Sequence, residues 1–416
     1  MRKLPAQSCW NQFAALWAFL NSVTFSVTGI YYVNQVGLNP LELILIGTAM
    51  ETAAFLFEVP TGVVADVYSR RASIVFGLFL TGVAILVIGA HPTFWVVTAG
   101  AFLFGLASTF ISGAIDAWLA DEIGVDNIGP AYFRGAQLGY AGAFVGIFVG
   151  VSLATLSLTL PIFLAGGSMI ALSLYFLLGM PETGFHPVPR EGRGSWKAMG
   201  TTFSEGIGQI RSKPILIGLF SIAAVMGMYS EGVDRLSEPH FLKNFEFPSI
   251  GELEPVLWLG AIRAIALLLS IAGTAITKRY VDPSQSRQAR TGLIVITFLE
   301  ILGTAGFALS GHFILAIAWI WLAGMARSAA GPIYRTWLNQ NLDSRSRATV
   351  LSMSSQMDAF GQIAGGPIVG SIGLAVSLRA ALGFSALILS PALWIYTRLG
   401  VPNNDARIAG SDGLGG

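Results

Sequence analysis

The chain has 416 residues, of which 54% are hydrophobic and only 11% charged, against about 25% charged in soluble domains. Mean hydropathy is +0.67; so little polar surface cannot coat a water-soluble globule, which excludes a soluble enzyme and points to the lipid bilayer as solvent and partner. The 24 basic and 23 acidic residues leave a net charge of +1 and no sign of a nucleic-acid partner, and the single cysteine, Cys9, excludes an intramolecular disulfide or a thiolate metal cluster.

Taking about 20 apolar residues as one crossing, the sequence predicts a first set of helices at 10–33, 41–65, 72–90, 93–118, 131–155 and 159–179. A second set falls at 214–235, 256–278, 291–310, 313–338, 347–371 and 375–398. The expectation is an all-α integral membrane protein: a six-helix bundle over 1–180, a polar linker over 181–213 with a surface helix around 196–210, a second bundle over 214–400, and a disordered Gly-, Asn- and Asp-rich tail over 401–416. The first span follows Arg2 and Lys3 as a signal peptide would, but it runs past 20 residues without a small-residue cleavage site and reads as a retained helix. If both termini are cytoplasmic, nineteen of the 24 basic residues fall inside, three outside (Arg235, Lys243 and Arg379), and Arg263 and Arg327 within the membrane; cytoplasmic loops collect Lys and Arg, so this orientation is the expected one.

On the first helix Asn21, Thr24 and Thr28 recur on one face, and on the second Glu51 and Glu58 stand seven apart. The second helix runs into Gly62-Val63-Val64-Ala65-Asp66-Val67-Tyr68-Ser69-Arg70-Arg71. Gly62 lets the helix approach a neighbour closely, Asp66 can accept from backbone N–H groups or an arginine, and Arg70 and Arg71 can bridge to acidic residues on another helix. This loop resembles the signature G-x-x-x-D-R-x-G-R-R of the major facilitator superfamily and stands where that family carries it, with Val67 and Ser69 at two departing positions. The resemblance implies the family fold, twelve transmembrane helices as two six-helix bundles related by a pseudo-two-fold axis, and a conformational lock at Gly62, Asp66, Arg70 and Arg71 that stabilises the outward-open state.

The fourth helix carries Ser108, Ser112 and Asp116 on one face. Ser112-Gly113-Ala114-Ile115-Asp116-Ala117-Trp118 and Phe57-Glu58-Val59-Pro60-Thr61-Gly62 are similar to segments of a drug-efflux branch of the superfamily, that of the macrolide exporters. The fifth helix has Gly139, Gly142, Gly146 and Gly150 without a proline; Gly365-Gly366-Pro367 stands in the eleventh instead. Gly105 to Trp118-Leu119 in the fourth span and Gly324 to Trp337-Leu338 in the tenth share their spacing, as an internal duplication requires. Both tryptophans are expected in an aromatic belt at the cytoplasmic interface.

In the second set, Glu231, Asp234 and Arg235 near the outer end of the seventh helix are candidates for an outer gate, and Ser237 to Pro255 reads as the one sizeable outside loop. Arg263, Ser270 and Thr274 align on the eighth helix, Arg327, Gly331 and Tyr334 on the tenth, and Ser355, Asp358 and Gln362 on the eleventh. A charge at mid-bilayer costs about 2.5–3.5 kcal/mol on insertion scales, so each needs a partner, water or a task. The candidates for proton or substrate binding are Glu51, Glu58, Asp116, Arg263, Arg327 and Asp358; Glu58 and Asp116 are expected within reach of Arg70, Arg71 or Arg335, and an Arg327–Asp358 tie is the static alternative for that pair. Asn21, Thr24, Thr28, Ser108, Ser112, Tyr334 and Gln362 are candidates for the cavity lining, with Phe25, Tyr31, Tyr32, Tyr229, Trp319 and Trp321 as a possible aromatic pocket. Glu300, on a peripheral span, reads as structural.

These residues point to a secondary transporter working by alternating access, with protons as coupling ion and export of small lipophilic or cationic compounds as its work, as in multidrug antiporters. Import or export of a specific anionic metabolite held by Arg263 and Arg327 is the alternative; a non-transporting sensor and a membrane-embedded enzyme rank below it. There is no H-E-x-x-H, G-x-S-x-G or Walker loop, and His91, His186, His240 and His312 are expected in loops. No cofactor and no metal are expected, and the chain is expected to act as a monomer in a plasma or inner membrane.

Overall fold

In the computed structural model, which describes residues 3–124, 127–185, 204, 207–208, 210–248, 255–342 and 347–399, every regular element is helical. Helix α1 spans Ala6–Tyr31 and continues as a π-helical turn over Tyr32–Val36. Gly37, at φ 74°, ends it in the left-handed region that glycine enters without strain. Asn39 then caps α2 (Pro40–Val67): its side chain accepts from the Glu42 amide at 3.0 Å while the Glu42 carboxylate accepts from the Asn39 amide at 2.9 Å. The first set continues with α3 (Arg70–Ala90), α4 (Phe94–Ile123), α5 (Ile128–Ala154) and α6 (Leu160–Gly179). The second comprises α7 (Pro214–Asn244), α8 (Pro255–Tyr280), α9 (Ser286–Leu309), α10 (Phe313–Gln340), α11 (Arg347–Ala375) and α12 (Leu378–Arg398).

Eleven of these helices are long and apolar enough to cross a membrane by length and composition. The other, α11, is equally long but carries Ser352, Ser354, Ser355, Gln356, Asp358 and Gln362 in quick succession. It packs between α2 and α7, which gives its polar side something other than lipid to face. The surface helix expected around 196–210 falls mainly outside the described residues, as does the tail from 400.

Three expectations are corrected. Helix α7 does not stop near 235 but runs through Pro239 to Asn244, so the expected loop from Ser237 is helical over its first eight residues. The last turns persist because their apolar side joins an aromatic cluster in which Phe241 meets Phe307 and Phe313 at ring distances of 5.0 and 5.8 Å. His240 is therefore a buried helix residue, facing the Phe307 carbonyl at 3.3 Å and Asn244 at 3.1 Å. Lastly, Trp118 and Trp337 are 1% and 0% exposed and form no interfacial belt. Trp118 donates to the Pro181 carbonyl just beyond α6 at 2.7 Å, and Trp337 stacks on Tyr396 of α12 at 6.3 Å. The repeated tryptophan thus packs on equivalent helices of the two sets.

Each set is held together by its own helix pairs, α1 with α5 and α3 with α4 and α6 in the first, α7 with α11 and α12 and α9 with α10 and α12 in the second. The glycines of α5 explain one of these pairs. Gly135, Gly142, Gly146 and Gly150 lie against Trp10, Ala15, Phe19 and Val23 of α1, where a Cβ would collide.

Between the sets the packing is one-sided. Near the N-terminus of α2, Gly366, Gly370 and Gly373 of α11 sit on Ile44, Leu41 and Pro40, and Gly260 of α8 sits on Val151 of α5. At the opposite end, which carries the turn between α2 and α3, an added Cβ at Gly62 or Gly331 would meet nothing within 4 Å. Ser112, Asp116 and Arg335 are exposed there. The sets are sealed at one end and splayed at the other.

Candidate functional site

The signature loop folds onto the first set. Ser69 caps α3 by accepting from the Ala72 amide at 2.9 Å, and its hydroxyl donates to Glu182 at 2.8 Å. Arg70 bridges Asp121 of α4 at 2.5 Å, the Ala117 carbonyl at 2.7 Å and Asp66 at 3.3 Å. The Arg71 amide donates to Glu182 at 2.9 Å and its guanidinium to the Leu177 carbonyl of α6 at 2.6 Å. Of the acidic partners foreseen on another helix for both arginines, Arg70 has one in Asp121 of α4, whereas the Arg71 guanidinium meets a carbonyl and Glu182, beyond α6, takes its backbone amide. Gly62, expected against a neighbouring helix, faces open space instead.

Helices α2 and α4 bring Glu58 and Ser112 together, the hydroxyl donating at 3.2 Å and 3.3 Å to the two carboxylate oxygens. Asp116 faces the Tyr132 hydroxyl of α5. Neither acid pairs with Arg70, Arg71 or Arg335, because Arg70 and Arg71 are already taken by Asp121, Asp66 and the Leu177 carbonyl.

The second set supplies three buried or half-buried ion pairs. Arg327 of α10 meets Asp234 of α7 through two parallel hydrogen bonds of 2.6 and 3.0 Å, the fork geometry of a strong guanidinium–carboxylate pair. That takes the place of the Arg327–Asp358 tie weighed as the static alternative. Arg235 and Glu231, one turn apart on α7, meet at 3.2 Å. Arg263 of α8 pairs with Glu238 of α7 and also donates to the Phe25 carbonyl of α1. Glu238 was hidden from the sequence by the loop assignment; its place four residues after Asp234 and seven after Glu231 was the signal that could have found it.

Two of these pairs close the sealed end. Glu231 and Arg235 occupy the space where Gly47 of α2 would carry a Cβ, and Glu238 does the same at Gly29 of α1. Of the three residues foreseen as an outer gate, Glu231 and Arg235 therefore meet the other set at Gly47, while Asp234 is held by Arg327, and the unforeseen Glu238 takes the place at Gly29.

Deeper in, Glu51 of α2 and Asp358 of α11 are within electrostatic reach of each other and of Asp234, and Glu51 also of Glu231 and Arg235. Asp358 accepts from Gln362 at 2.9 Å. Among the described residues no basic side chain forms an ion pair with Glu51, Glu58 or Asp358. The cluster therefore sets four carboxylates, Glu51, Glu231, Asp234 and Asp358, against two guanidiniums, Arg235 and Arg327.

Of the remaining candidates, Asn21 lines a cavity of about 190 Å³ with Ser22, Phe25, Ser26, Ile147 and Arg263. Tyr334 donates to the Leu219 carbonyl at 2.8 Å and lies 3.3 Å from Ser354, tying α10 to α7 and α11. Thr24 and Thr28 are not on an open face: both are buried and donate to carbonyls of their own helix at 3.1 and 2.6 Å. Ser108 does likewise toward Gly105 at 2.7 Å. Tyr31 and Tyr229 are 0% and 1% exposed, and Tyr32 is buried too, so the six aromatics do not converge on one pocket; Phe25 alone of them lines this cavity.

Residues 13–299 match the Major Facilitator Superfamily. The chain is 24% identical over 414 residues to the MFS-type transporter YxaM of Bacillus subtilis (strain 168), covering 96% of this chain and 98% of that one. A mutant of the nucleoside transporter NupG superposes with a TM-score of 0.79 at 14% identity, covering 94% of this chain and 99% of that one. A bacterial homologue of the human lysosomal transporter Spinster, in an inward-facing and unoccupied conformation, gives 0.73 at 14% identity over 94% and 96%. Identities this low speak for the fold alone. With the family match spanning well over half of the chain, the protein belongs to the Major Facilitator Superfamily and is a multi-pass membrane transporter of that type.

Proposed function

We propose that this chain is a proton-coupled secondary transporter of the cell membrane, working by alternating access and exporting small lipophilic or cationic compounds. In this reading all twelve helices cross the bilayer, both termini are cytoplasmic, and two six-helix bundles rock about the cluster of Glu51, Asp234, Arg327 and Asp358. The splayed end carries Arg70, Arg71 and Arg335, so the positive-inside rule makes it the cytoplasmic one and the conformation inward-open.

The observation that carries the reading is the charge balance at membrane depth. Arg235, Arg263 and Arg327 each have a carboxylate partner, whereas Glu51 and Asp358 have no basic one. Such acids need a proton or a cation when water is withdrawn from around them. The anionic-metabolite alternative needs a free guanidinium in the cavity, and both arginines it relied on are occupied here.

Proton flux in proteoliposomes under a pH gradient, screened against a mixed panel of drugs and metabolites, tests the reading. Solute-dependent proton movement for lipophilic cations is the expected result. Transport of a solute with no accompanying proton movement would remove the coupling, and competition by anions that vanishes in Arg327→Gln would restore the alternative.

A further inference from the structure

Glu300, on α9, was assigned no task by its sequence position, yet its surroundings are unusual for a structural residue. It is 0% exposed, and neither carboxylate oxygen has a hydrogen-bond partner by geometry. The groups that face it are Tyr229 and Asp234 from α7, Arg327 from α10 and Tyr396 from α12. The Tyr229 hydroxyl, 2.8 Å from Thr304 one turn along α9, stands within electrostatic reach of Glu300, Asp234 and Arg327 alike. An ionised carboxylate buried with no donor beside it but the Tyr229 hydroxyl is the least favourable occupant of such a place, whereas the neutral acid fits it. Arg327 is already saturated by the two oxygens of Asp234, so it offers Glu300 no full ion pair in this conformation.

We propose that Glu300 is a proton-binding site outside the transport cavity, filled while Arg327 holds Asp234, and that the proton and the guanidinium later change places. In that step the O–H bond of Glu300 breaks, an O–H bond forms on Asp234, and Arg327 moves from the Asp234 carboxylate to the new Glu300 carboxylate. The pair of acids keeps one proton and one negative charge throughout, so no net charge is created in the helix packing. Asp234, whose side chain is 51% exposed, then offers the proton to the water of the open cavity. Glu300 thus serves as a reservoir for the coupling proton. The inference rests on the proton-coupled reading, but the site can be tested without transport.

Infrared difference spectroscopy of the purified full chain reads the C=O stretch of neutral carboxyl groups across a pH titration. The expected result is a carboxyl band near neutral pH that is missing in Glu300→Gln and still present in Glu51→Gln and Asp358→Asn. A Glu300→Gln spectrum identical to the wild type would overturn the site. Should Glu300→Gln fail to fold, Tyr229→Phe keeps the acid and removes the hydroxyl beside it. A shifted band in that variant supports the site, and an unmoved one overturns the assignment of the band to Glu300. In proteoliposomes Glu300→Gln should keep solute exchange and lose solute-driven proton movement. Wild-type protein that moves no protons but shows the Glu300 band would remove the coupled reading alone.

Discussion

At the scale of single residues the acids of the cavity decide the chemistry. Glu51 and Asp358 were legible from sequence because a carboxylate in the middle of an apolar run stands out; their want of a basic partner was not, since that depends on where every arginine goes. Arg327 illustrates the gap: Asp358 was the partner weighed as a static alternative, and Asp234 on α7 takes it with two bonds. Glu51→Gln and Asp358→Asn should each lower solute-driven proton flux about tenfold, within the usual 1–3 kcal/mol range for coupling between two sites, while leaving the thermal stability of purified protein near wild type. Asp121→Ala removes the partner of a largely buried guanidinium and should destabilise the first bundle by about 1.5–3 kcal/mol, read as a lower melting temperature in detergent.

Among the helices, sequence served well where hydropathy alone sets the boundary and poorly where packing does. The ends of α6 and α10 fall close to the expected positions, because a Gly or a capping turn stops an apolar run. Helix α7 overran its expected end by two turns because Phe241 and Phe245 find an aromatic cluster supplied by α9 and α10, which periodicity cannot see. Two glycines make opposite predictions about the seam. At Gly47 a methyl group would meet the ends of the Glu231 and Arg235 side chains, which can swing away, so Gly47→Ala should loosen the sealed end without unfolding α2. Spin-label distances across the two ends should then shift toward the outward-open arrangement. At Gly62 a larger side chain has room in the present conformation, so Gly62→Leu should fold normally and hold the splayed end apart, with the opposite shift in the same distances.

Taken whole, the molecule is two helix sets, each bound tightly within itself and touching the other near one end. Every ion pair found among the described residues lies inside one set: Arg70 with Asp66 and Asp121 in the first, Arg235 with Glu231, Arg263 with Glu238 and Arg327 with Asp234 in the second. The contact at the seal is a charged group against bare backbone or apolar surface, as where Arg263 meets the Phe25 carbonyl. No ion pair breaks when the sets move apart, so screening is left with the field between Glu51 of the first set and the charges of the second, and that site is partly shielded from salt by its burial, while packing against a neutral backbone is nearly untouched. The balance between the inward- and outward-open forms should be nearly indifferent to ionic strength, with label distances unchanged between dilute buffer and molar salt, and a transporter built this way keeps its switching free energy constant in cells whose salt content varies.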